Sequence, residues 1–288
     1  LGFWPGGDRD GNPNVHTEST VQVSKMLRQI LFRCYYRDFR NLKRRITFRG
    51  VDEPIAIVHD VLYKNAFDPN IEMENISDFL IEHLNKIKNT LIDSHDGLFA
   101  DIVSDLIRKV ELYGSHFASL DIRQDSRVLR DVHAYCRQSK PINSMFPENY
   151  DSLSEEEKIK TLSFKSARVS HSDKADSLVQ DTLQTITEVK QIQQSNGELA
   201  CHRFIISNCQ QASDILQLME LFLWNGWEEN NLSIDFVPLF ETVHDLADAA
   251  EIMETLYAHP FYKAHLKRRG NKQHIMLGFS DSTKDGGY

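Results

Sequence analysis

The sequence predicts an α/β fold built on a parallel sheet, either doubly wound or closed as a (β/α)8 barrel. Three observations carry that expectation. Short apolar runs alternate with helical stretches through the last third of the chain, which means parallel strands with right-handed crossovers. Five such runs can be counted along the sequence. Four of them end in charged residues, and α/β enzymes place their chemistry at the carboxyl ends of strands.

The elements follow in order. Leu1–Trp4 reads as a strand, and Pro5 to Asn14 as a tight Gly-rich loop. A calcium-loop reading of Asp8-Arg9-Asp10-Gly11-Asn12 fails, because Pro13 stands where that loop needs Gly and Ser19 where it needs Glu. What remains is a turn bonded to its own backbone, or a site loop in which Asp8 and Asp10 fix Arg9. Thr17 caps a helix expected to run to about Ile46, with Val21, Met26, Ile30, Leu31, Cys34 and Tyr35 on one face. Ile55–Lys64, Met73–Asp93 and Leu98–Tyr113 are further helices. Phe117–Ile122 is the second strand, ending in Arg123-Gln124-Asp125, and Val128–Arg137 is a helix. Ser139–Leu162 reads as a polar loop, with Glu155-Glu156-Glu157 as a helix start, and Ala175–Gln194 is a long polar helix. Arg203–Ser207, Ser233–Leu239 and Ile275–Phe279 are strands, separated by helices Ala212–Trp224 and Val243–Tyr257. The final strand is expected to open into a loop carrying Asp281, Lys284 and Asp285. The domain expectation is a single catalytic barrel domain over 1–288, holding five of eight strands, with helical insertions at about 17–113 and 139–197.

Composition bounds the function. The chain has 288 residues, 41% hydrophobic and 26% charged, with a net charge of −9. That balance is globular and argues against nucleic-acid binding, which needs a positive face. Lys43-Arg44-Arg45 reads as a solvated helix end. No apolar run approaches the ~20 residues of a membrane span. The four cysteines form no CxxC pair, which points to reduced thiols in a cytoplasm. The chain opens without methionine or a signal peptide and stops directly after a site-like loop, so a piece of a longer protein is expected.

If the charged strand ends share one face of the sheet, they make a site. Glu241 and Asp281 are hard oxygen donors, and Arg123 and Lys284 are cations. That set suits a divalent metal, a phosphate and a carboxylate together. Taken singly, each residue has a plainer role. Arg123 could pair with Asp121 or Asp125, Glu241 could cap the helix after Thr242, and Trp4 and Leu120 could be core.

The strings GGDRDGNPNV (Gly6–Val15), SLDIRQDS (Ser119–Ser126), FVPLFETVHDL (Phe236–Leu246) and MLGFSDSTKDGG (Met276–Gly287) resemble, in order, successive motifs of the phosphoenolpyruvate carboxylases. RFIISNCQQASDIL (Arg203–Leu216) is a weaker fifth match. The departures, Asp125 for Glu, Phe279 for Tyr, Gly286 for Ala and Pro5 before the double Gly, remove no group that does chemistry. The resemblance implies a TIM-type barrel with large helical insertions and Mg2+ (or Mn2+) as cofactor. It also implies phosphoenolpyruvate and bicarbonate as substrates and a cytoplasmic homotetramer in the full-length protein, with no nucleic acid or membrane partner. Bicarbonate would attack phosphorus, giving carboxyphosphate and a metal-held enolate; carboxyphosphate would release CO2 and phosphate, and the enolate carbon would attack CO2 to give oxaloacetate. Glu241 and Asp281 would be the metal ligands, and Arg123 and Lys284 the catalytic cations. Trp4, Asp8, Arg9, Leu120, Gln124 and Ser280 would bind substrate, with Trp4 and Leu120 as a dry wall. The family's catalytic-histidine motif would lie upstream of this sequence, and its Gly/Arg-rich loop and effector region downstream. Two competing readings are another metal-dependent pyruvate or enolpyruvate lyase or aldolase, and a helical scaffold without activity. The GGDRDGNP loop argues against the first and the charged strand ends against the second.

Overall fold

The structure is a computed structural model that describes residues 2–68, 71, 73, 75–169 and 176–287; the side chains of Ser280 and Asp281 lie outside that description. The chain divides into two compact units, Leu1–Phe3, Val21–Ser119 and Gln191–Cys201 in one, and Trp4–Thr20, Leu120–Lys190 and His202–Tyr288 in the other. Strands β1 (Gly2–Phe3), β2 (Ser119–Asp125), β3 (Arg203–Ser207), β4 (Asp235–Phe240) and β5 (Met276–Leu277) form one sheet in chain order. The fold is therefore α/β and helix-rich, with five strands, and the pairings β2–β3, β3–β4 and β4–β5 are parallel.

The first unit is helical. α1 (Thr17–Lys43), α2 (Asp52–Phe67), α3 (Ile76–Ser94) and α4 (Ala100–Tyr113) place apolar residues three and four apart. Phe32, Tyr35 and Phe39 of α1 meet Val58 and Leu62 of α2, Leu84, Ile87 and Leu91 of α3, and Val103 and Val110 of α4 in one core. The Tyr35 hydroxyl donates to the carbonyls of Lys109 and Gly114 at 3.1 and 3.0 Å, so its polar end is satisfied. The basic cluster at residues 43–45 ends α1, as its helix-end reading requires.

The second unit holds β3, β4 and β5, with β2 from Leu120 onward. β2 pairs with β3 (Asp121↔Arg203), β3 with β4 (Arg203↔Asp235) and β4 with β5 (Leu239↔Met276). Strand alternation sorts the side chains. Ile205, Val237 and Leu239 cluster on one face with Trp4 and Met276. Phe204 and Phe236 take the other and meet Phe222 edge-on at 5.7 and 5.3 Å. Phe222 lies on α8 (Ala212–Trp224), the helix after β3; α5 (Ser126–Arg137) follows β2 and α9 (Val243–Ala258) follows β4.

Three stretches differ from expectation. Ser139–Leu162 contains two 3-10 turns where loop was expected, while helix α6 (Glu155–Thr161) starts at the expected Glu155-Glu156-Glu157, its first turn closed by a Ser154–Glu157 capping box. Between them, α7 (Ser177–Asn196) and α10 (Pro260–Arg268) complete the helices up to β5, and α10 starts on a proline suited to its first turn. The last strand is only Met276–Leu277, and Phe279–Gly286 forms helix α11 in place of the expected loop. Ser282 and Thr283 hydroxyls bond back to the carbonyls of Gly278 and Phe279, and Gly287 closes the helix at φ 75°. Small polar residues that look like loop from composition here support helix. No described helix is long and apolar enough to cross a membrane.

Candidate active site

The site begins with the loop after Trp4. Arg9 N donates to Arg123 O and Arg123 N to Gly7 O, both at 3.0 Å, so the loop joins β2 as a one-residue parallel bridge, Asp8↔Arg123. Gly7 is required because the strand passes directly beneath it: a Cβ there would sit 2.0 Å from Asp121 O. The bridge turns Asp8 and Asp10 towards the Arg123 guanidinium.

Arg123 is the centre of the site, with 15% of its side chain exposed. Its Nη2 donates to Asp10 Oδ2 at 2.6 Å. Asp8 Oδ2 stands 3.7 Å from Nη1, and Glu241 Oε2 3.8 Å from Nη2. The guanidinium lies 5.4 Å from the centre of the Trp4 ring, within cation–π range. The local alternatives are excluded, because Asp121 pairs with Arg203 at 2.7 Å and Asp125 with Arg127 at 2.6 Å. Burial works to raise the Asp125 carboxyl, and hydrogen bonds from the Arg127 side chain and backbone more than offset it, leaving it below the usual carboxylate range.

Glu241 follows β4 and does not cap α9. Thr242 and Asp245 form that capping box themselves. Glu241 Oε1 instead accepts from the backbone N–H of Asn208 at 2.7 Å. Asn208 stands after β3 in the left-handed region, φ 51°, and Ser126 Oγ donates to its carbonyl at 2.6 Å. Gly278 gives Glu241 its room, since a Cβ there would lie 2.7 Å from the Glu241 Cβ.

The other expected residues fall in different places. Arg9 is buried and points away from Asp8 and Asp10; it donates to Thr20 Oγ1 at 2.6 Å and Thr185 Oγ1 at 3.0 Å, with Asp181 at 3.5 Å. Leu120 is fully buried. Gln124 is buried and lines a cleft of about 640 Å3 with Asp10, Asp125, Arg127 and His16. Its Nε2 has no hydrogen-bond partner among the described residues. Lys284 is exposed in the last turn of α11, and Asp285 of that helix accepts from Val243 N at 3.0 Å. The Ser280 and Asp281 side chains lie outside the described residues, so their expected roles rest on sequence.

Sequence reasoning did not assign Asp10 or Asn208 a role at Arg123 or Glu241. The repeated Asp in Asp-Arg-Asp was the only signal for the first. Asn208 left none beyond the tolerance of Asn for left-handed backbone. A divalent ion fits the chemistry of the expected pair, because the carboxylates of Glu241 and Asp281 are hard oxygen donors. Among the described residues no three His, Cys, Asp or Glu side chains are grouped to cage an ion. Mg2+ needs few protein ligands, since it keeps several waters.

The family model described as Phosphoenolpyruvate carboxylase matches residues 1–54 and 56–288. A phosphoenolpyruvate carboxylase of Prochlorococcus marinus (strain MIT 9312) is 29% identical over 359 aligned residues, covering 100% of this chain and 36% of that protein. One from strain MIT 9215 is also 29% identical with the same coverage. One from P. marinus subsp. pastoris is 27% identical over 361 residues. The chain thus spans about a third of the length of the curated relatives it matches, 36% in each case.

Proposed function

The chain belongs to the phosphoenolpyruvate carboxylase family, and on that premise we propose that it forms part of the catalytic barrel of a Mg2+-dependent carboxy-lyase. The reaction joins bicarbonate to phosphoenolpyruvate, giving oxaloacetate and phosphate. The observation that carries this reading is the convergence of Asp8, Asp10, Arg123 and Glu241 at strand ends beside Trp4.

Each group has a physical role. Arg123 offers a planar fork, matched to a phosphate or carboxylate edge, and its largely buried setting strengthens that contact. Lys284 would add a compact positive charge for the substrate anion. A bound Mg2+ or Mn2+ supplies Lewis acidity to oxygens on which negative charge develops. Glu241 would hold it, with Asp281 as the second ligand; the Asn208 N–H fixes one Glu241 oxygen. Trp4, beside Ile205, Val237 and Leu239, gives an apolar wall that excludes water from a basic carbon nucleophile. Leu120 lies two residues before Ile122, on the face of β2 that pairs with Phe204, and so stands behind that wall instead of in it. Asp8, Gln124 and Ser280 would complete the substrate pocket. Arg9 would act by anchoring the loop through Thr20 and Thr185.

The same reading makes 1–288 part of a single (β/α)8 catalytic domain, and the whole enzyme a cytoplasmic homotetramer involved in carbon fixation. Its support is the family, together with the free cysteines Cys34, Cys136, Cys201 and Cys209. The test is to supply the full-length protein with phosphoenolpyruvate, bicarbonate and Mg2+, and to follow oxaloacetate by coupled reduction. Oxaloacetate that depends on all three supports the proposal; folded protein that forms none refutes it.

A further inference from the structure

The loop after Trp4 brings two carboxylates to one guanidinium, and they do different work. Asp8 is occupied with its own turn, because its Oδ1 accepts from Asp10 N at 3.2 Å. Its Oδ2 is 3.7 Å from Arg123, too far for a hydrogen bond. Asp10 is free of that duty and meets Nη2 at 2.6 Å. Among the described residues this is the one hydrogen bond to the Arg123 side chain, and Nε is buried without a partner. A guanidinium is a rigid fork, so a single short charge-assisted bond at one tine sets where the other donors point. The Trp4 ring lies under the guanidinium, 5.4 Å from its central carbon.

We propose that Asp10 is a positioning residue: it holds the Arg123 fork over Trp4 and aims its remaining donors at the anionic substrate. The proposal rests on the phosphoenolpyruvate reading of the site. It assigns Asp10 no contact with substrate, so its effect passes through Arg123. Loss of the Asp10 charge leaves the strand, the bridge and the loop backbone intact while the fork swings free. Substrate capture then suffers more than the chemical step.

The test uses the full-length enzyme. D10N should raise KM for phosphoenolpyruvate with a smaller change in kcat, lowering kcat/KM about ten- to a hundredfold, the worth of one charge-assisted hydrogen bond. D10E should restore part of the loss. In an R123K background, D10N should add less than about threefold, because the two residues act as one unit. A D10N enzyme within about twofold of wild type, or losses that multiply in the double variant, overturns the proposal. A second measurement does not need turnover. Acrylamide quenching of Trp4 emission, isolated by difference against Trp4→Phe, should rise in D10N to the level of Arg123→Ala and no further in the pair. Unchanged quenching in D10N overturns the positioning role. A wild-type enzyme that makes no oxaloacetate defeats the carboxylase reading instead, and the quenching result still decides whether Asp10 holds Arg123.

Discussion

Gly7→Ala should damage both the fold of the loop and the site it carries. Gly7 is not among the glycines with positive φ, so alanine brings no backbone penalty there. The whole effect comes from proximity. The new Cβ would lie 2.0 Å from Asp121 O and 3.0 Å from Asp121 C, both backbone atoms that cannot rotate away. Ordinary contact begins near 3.4 Å, so the loop must retreat by about 1.4 Å. The two backbone hydrogen bonds that tie it to Arg123 are 3.0 Å long and would break. At about 1 kcal/mol each, their loss should lower stability by about 2 kcal/mol, within the range for overpacked sites. Asp8 and Asp10 move with the loop, and a misplacement near 1 Å passed on to the site lowers rate about a hundredfold. Urea unfolding of the full-length protein reads the first quantity, and the coupled oxaloacetate assay the second. A variant with wild-type stability and wild-type kcat/KM would refute the reasoning, since the close approach would then not constrain the loop.

Three further outcomes are expected. R123K should lower kcat/KM for phosphoenolpyruvate by about tenfold or more, because a fork becomes a point charge; unchanged kinetics would make Arg123 structural. E241Q should weaken Mn2+ binding, read by electron paramagnetic resonance titration, because a neutral amide replaces a hard anionic donor; equal affinity would remove Glu241 from the metal site. His265 is buried with Nε2 2.9 Å from Ile234 O, and burial pushes its imidazole down to about 4. The unfolded chain takes up that proton near 6.5, so stability is full above that pH and is lost as pH falls towards 4, by up to about 3 kcal/mol. H265Q keeps a donor and removes the titration, so urea midpoints should favour the variant increasingly from pH 7 to pH 4.5; a pH-independent difference would show that His265 does not titrate this way.

The sequence by itself determined the central strands of the sheet. Alternation along Arg203–Ser207 and Asp235–Phe240 separates Ile205 and Val237 from Phe204 and Phe236, because a strand turns every second side chain to the same face. The helix spacing that builds the core around Phe32, Tyr35 and Phe39 is equally local. The motif strings identified the family through residues written in the chain. Local rules failed where contacts are distant. Arg9 and Asp10 are adjacent, yet one faces Thr20 and Thr185 and the other Arg123, 113 positions away. The bridge between the loop and β2 makes that choice, and no property of Asp-Arg-Asp alone could. Glu241 could have capped α9, and only the arrival of the Asn208 N–H from the neighbouring strand drew it elsewhere. Phe279–Gly286 has the composition of a loop and became helix, because Ser282 and Thr283 found carbonyls one turn back and Asp285 reached Val243 N. Side-chain direction in a polar segment depends on which partner the fold brings within 3 Å. That information is held in the tertiary structure and not in the order of the residues.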